Sequence, residues 1–97
     1  MSASDIAQYV VTLRYQEEGL SDVLELNSVL TNGGFSTSLT DADGTSHQLG
    51  TNSFGITSPQ DKEKIREQAE KLAEVALGQK PEVEVQTFEA FLQNNKS

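Results

Sequence analysis

The sequence predicts an α+β domain, and three observations carry that expectation. Apolar residues recur with a period of two near the start, in the middle and near the end of the chain, and with helical period in between. Nearly every change of period coincides with Gly, Pro, Asn or Asp. The chain has 97 residues, enough for one modest core, so a single domain over 1–97 is expected, its core at about 8–93.

The elements follow in order. Tyr9, Val11, Leu13 and Tyr15 share one side of a first strand, and Val10, Thr12 and Arg14 share the other. Ser21 reads as the N-cap of a helix whose apolar positions are Val23, Leu26, Val29 and Leu30, and Asn32-Gly33-Gly34 supplies its left-handed end. Phe35, Thr37 and Leu39 alternate with Ser36, Ser38 and Thr40 in a second strand. Asp41-Ala42-Asp43-Gly44 then turns the chain into a third strand, His47 to Ile56, as a hairpin. Gly50 and Gly55 within that strand mark a bulge or a close backbone approach.

The second helix has Ser58 as N-cap, Pro59 at its first position, Asp61 three residues after the cap, and Gly78 and Pro81 beyond its end. Ile65, Ala69, Leu72, Ala73 and Ala76 form its apolar stripe, and the alanines permit close packing on a sheet. Val83 and Val85 alternate with Glu84 and Gln86 in a last strand. Phe88, Phe91 and Leu92 then begin a short terminal helix, and Asn94 to Ser97 is expected to fray. The order βαββαβ, with right-handed crossovers, gives a ferredoxin-like sandwich: an antiparallel sheet with two helices on one face, plus a short C-terminal helix.

Composition narrows the function. Without cysteine there is no disulfide framework and no thiolate metal site. Met1 to Gln8 lacks the basic start and apolar run of a signal peptide, and no stretch approaches the roughly 20 apolar residues of a membrane span, so a cytoplasmic protein without a membrane partner is expected. Fifteen acids against seven bases leave a net charge of −8, a field that repels nucleic acid unless cations gather on one surface, and no DNA partner is expected. Lys62, Lys64, Arg66 and Lys71 do lie together, but Asp61, Glu63, Glu67 and Glu70 interleave them, which is the pattern of a solvated helix face.

Few residues carry chemistry. His47 is the one histidine, the side chain suited to moving a proton near neutral pH, though a reaction requires a partner acid or base for it. Asp41 and Asp43 have the oxygen ligands a magnesium ion takes, but Asp-x-Asp-Gly lacks the rest of a calcium loop and reads as a turn. Arg14 either contacts a phosphate or pairs with Glu84 across the sheet. Phe54 either stacks on an unpaired base or joins the core beside Ile56. An RNA-recognition motif is disfavoured, because the open sheet face lacks the aromatic pair that such domains use.

Tyr9-Val10-Val11, Phe35-Ser36, Asp41, Gly44, Gln48-Leu49, Asn52-Ser53-Phe54 and Ile56-Thr57 together resemble the GhoS antitoxin family, without a gap from Tyr9 to Ser58. Thr87 to Leu92 is similar to that family's polar-then-aromatic ending. The resemblance implies a ferredoxin-like antitoxin of a type V toxin-antitoxin system, an endoribonuclease that cleaves the messenger RNA of a small membrane toxin. It also implies that Phe54, with Asn52 and Ser53, contacts single-stranded RNA. Asn27 stands at the first-helix position where the family carries a functional arginine, and a carboxamide cannot neutralise phosphate as a guanidinium does. The expected catalytic set is therefore His47, Arg14 and Asn27, with no metal and no cofactor. The alternative is a non-catalytic ferredoxin-like module for protein binding or regulation, favoured by the acidic charge and by Asn27.

Overall fold

The computed structural model describes residues 6–16, 20–50 and 52–94. Strand β1 (Ala7–Arg14) is the centre of a three-stranded antiparallel sheet of order β4-β1-β5, with β4 at Ser53–Ser58 and β5 at Glu82–Thr87. Val11 stands opposite Phe54 on one side and Val85 on the other, so period-two patterning in three separated segments meets in one layer. Helices α1 (Leu20–Asn32) and α2 (Lys62–Leu77) cover the face bearing Val11 and Leu13, burying Leu26, Leu30, Phe35, Phe54, Ile65, Ala69 and Ala73 with them. The two helices come close at Gly33, where a Cβ would lie 2.5 Å from Leu72 Cδ1.

Helix ends follow local chemistry, with two corrections to the expected caps. α1 begins at Leu20, so Ser21 lies inside it rather than capping it. Its end is as expected: Gly34 has φ 102° and the Phe35 N–H donates to the Leu30 carbonyl. α2 is capped by Asp61, whose side chain accepts from the Lys64 N–H at 3.0 Å, while Ser58 accepts from the Gln60 N–H where β4 ends. A carboxylate one turn later captures the orphan donors better placed for the helix that forms. Gly78, with φ 71°, closes α2.

The middle of the chain departs most from expectation. Its second strand meets the main sheet through an isolated bridge between Ser36 and Gly55, then peels away as β2 (Ser38–Thr40) to pair with β3 (Ser46–Gln48) in a separate two-stranded sheet. The expected third strand is two strands, because Gly50 (φ 97°) and Asn52 (φ 64°) turn the backbone left-handed between β3 and β4. Phe35 therefore enters the core under the helices while Leu39 enters a second one on the opposite face. There Val10, Leu39, Leu49 and Phe88 are buried, with Phe91 and Leu92 against them, beneath the hairpin and α3 (Phe88–Asn94). Gly55 admits the hairpin: a Cβ on it would lie 2.5 Å from Leu39 Cγ. The face expected to be open is thus partly roofed.

Candidate functional site

The roof carries the chemistry. Leu39 and His47 face each other across β2 and β3, so the residue that anchors the hairpin also fixes which way His47 points. Its ring meets the edge of Phe88 at a centroid distance of 5.7 Å and an interplanar angle of 73°. Asp41 begins the turn between the strands, and its Oδ1 accepts the backbone N–H groups of Asp43 (2.9 Å) and Thr45 (3.0 Å). Oδ2 is left to meet His47 Nε2 at 2.8 Å. The turn holds the carboxylate, and the carboxylate holds the imidazole.

The hydrogen bond with His47, aided by the Thr45 N–H, lowers the pKa of Asp41 below its ordinary value, so the carboxylate is ionised at neutral pH. An anion on Nε2 favours the tautomer with its proton there and leaves the Nδ1 lone pair as the basic atom. Nδ1 makes no hydrogen bond to a described residue. Asp41 thus gives His47 a carboxylate partner, six residues away across the turn. Among the described residues no group of three or more metal-ligating side chains converges.

Asp41 and His47 line the rim of a depression of about 770 Å³, walled on its apolar side by Leu49, Phe91 and Leu92. A second, shallower depression of about 310 Å³ is lined by Val23 and Asn27 of α1 together with Gln48, Gly50 and Asn52. Gln48 and Gly50 line both, so the two adjoin at the bend between β3 and β4. Gln48, Phe91 and Leu92 were not expected at a site. Phe91 and Leu92 show helical periodicity, which reads as core packing and gives no sign of an open edge.

The remaining candidates scatter. Asn52 lies at the bend, where the Tyr15 hydroxyl donates to its Oδ1 at 2.9 Å. Asn27 reaches the same shallow depression from α1. Arg14 lines a different depression with Arg66 and Glu70, and its guanidinium donates to Glu84 at 3.3 Å with its side chain 67% exposed. Two of the residues expected to contact RNA are buried. Phe54 is 1% exposed in the core under the helices, because its position in β4 lies opposite Val11, so its ring offers no stacking face. Ser53 is 7% exposed, with its hydroxyl 3.5 Å from that of Thr12.

The family model for endoribonuclease GhoS matches residues 1–94. The uncharacterized protein YdiZ of Escherichia coli strain K12 is 41% identical over 96 residues, which cover 99% of this chain and all of YdiZ. YdiZ of Escherichia coli O157:H7 matches to the same extent. Among the described residues no helix is long and apolar enough to cross a membrane.

Proposed function

The chain belongs to the endoribonuclease GhoS family, the antitoxins of type V toxin-antitoxin systems, and from that premise we propose that it cuts single-stranded toxin messenger RNA in the cytoplasm at the Asp41–His47 pair. The observation that carries this reading is the 2.8 Å contact between Asp41 Oδ2 and His47 Nε2 at the rim of the larger depression.

In the proposed reaction, His47 Nδ1 takes the proton from a ribose 2′-hydroxyl. The oxygen attacks the adjacent phosphorus, forming a 2′,3′-cyclic phosphate, and the P–O5′ bond breaks. The 5′-oxygen leaves with a proton, from the imidazolium or from water. Asp41 balances the charge that His47 acquires and keeps the ring in its productive tautomer. Phe91 and Leu92, only partly buried, give the base of the attacking nucleotide an apolar wall, a role that buried Phe54 does not fill. Arg14, exposed at the end of β1 beside Glu84, is a phosphate contact at a distance from His47.

The test is incubation of the purified protein with toxin messenger RNA, with and without EDTA. Cleavage in both arms with 2′,3′-cyclic phosphate ends supports the mechanism. Cleavage abolished by EDTA contradicts a reaction run by His47 alone, and intact RNA in both arms contradicts the endoribonuclease reading.

A further inference from the structure

We infer that the shallow depression between α1 and the β3–β4 bend is a base-reading subsite, in which Asn27 and Gln48 hydrogen-bond the edge of one unpaired RNA base beside the scissile bond. The inference rests on the Asp41–His47 cleavage reading and deepens it by assigning the origin of sequence preference.

Four observations meet here. The side chains lining the depression include three carboxamides, Asn27, Gln48 and Asn52, and no charged group. Such a surface is poor for a phosphate and good for a base, because each amide presents a donor and an acceptor side by side, matching the paired donor and acceptor of a base edge. Asn27 and Gln48 make no side-chain hydrogen bond with a described residue, although Asn27 is half-buried; the Thr31 hydroxyl donates to the Asn27 backbone carbonyl at 2.7 Å. Among the described residues, their amides thus keep hydrogen-bonding capacity where they line the depression.

The amides are also held in place. Asn52 adopts φ 64°, a left-handed conformation that asparagine tolerates better than most residues, and the Tyr15 hydroxyl orients its side chain through Oδ1. Finally, Gln48 and Gly50 line both this depression and the one bordered by His47. A nucleotide seated against Gln48 is thus next in line to one whose ribose faces His47. Discrimination by such amides is sharp because a mismatched base leaves a desolvated donor or acceptor without a partner.

The probe is a set of short single-stranded RNAs made non-cleavable by 2′-deoxy substitution and differing in one nucleotide beside the substituted position. Their binding to the full chain is measured by fluorescence anisotropy over a range of salt. Wild type is expected to prefer one base by roughly 10-fold. Asn27→Ala and Gln48→Ala, checked for folding by circular dichroism, are expected to flatten that preference while leaving the salt dependence unchanged, the signature of a base contact. His47→Ala is expected to keep the preference.

Preference retained in both alanine variants overturns the inference, as does a weakening that is equal for all bases and lowers the salt slope. Cleavage of natural RNA with no base preference overturns it and leaves the endoribonuclease reading standing. Absence of any RNA binding overturns both.

Discussion

Three side chains have separable consequences. His47 is about a third exposed and lies outside both buried cores, so His47→Ala is expected to lower cleavage by about 10²- to 10⁴-fold while RNA binding stays near wild type, read by single-turnover kinetics and anisotropy. Asp41→Asn keeps an Oδ1 for the turn but removes the anion beside His47, so cleavage falls. Its pH signature is specific. The folded-state pKa of Asp41 is lowered, so the ionised carboxylate stabilises the protein above its ordinary value of about 3.9, and that contribution is lost as pH falls through the lowered one. Urea midpoints of wild type and Asp41→Asn should therefore differ at neutral pH and converge in acid. Phe54 is a core residue, so Phe54→Ala should destabilise by about 3–5 kcal/mol, whereas Phe54→Leu, which keeps most of the volume, should retain cleavage. A stable Phe54→Leu variant without activity would contradict this assignment.

At the scale of elements, the β2–β3 hairpin decides whether a site exists. It is anchored by Leu39 over Gly55, and by Leu39 and Leu49 packed with Val10 and Phe88. Gly55→Ala would place a methyl group 2.5 Å from Leu39 Cγ, and overpacking of this kind costs about 1–3 kcal/mol. Because the contact belongs to the hairpin and not to the helix-covered core, its effect should concentrate there. Hydrogen exchange is expected to quicken in β2 and β3 more than in α2, and cleavage to fall more than global stability implies. Uniform loss of protection across both cores would contradict a separately anchored roof.

For the whole molecule, charge sets the terms of RNA binding. The net charge is −8, and the cations clustered in sequence lie on α2, with Arg66 engaged by Glu63 and Glu70. α2 covers the sheet face opposite the hairpin, so these cations sit away from His47. Arg14 lies at the end of β1, in a depression it shares with Arg66 and Glu70. Binding should be weak and lightly salt-dependent, and Arg14→Ala should reduce the slope of log K against log salt by about 0.7, the release expected for one phosphate contact on a single strand. No change in slope would leave Arg14 as a partner of Glu84 only. Taken by itself, the sequence determined the identity and order of the main elements, because periodicity, glycine ends and turn residues act over a few neighbours. It also supplied His47 and the turn at Asp41 as separate features. Only tertiary structure decided that these two residues meet, that Phe54 is sealed in and that Asn27 and Gln48 line one depression. Those outcomes depend on which faces of distant segments pack together: two left-handed residues at the bend redirect a strand, and Gly55 leaves room for Leu39, so side chains that look alike in a period-two pattern are sent to opposite sides of one sheet.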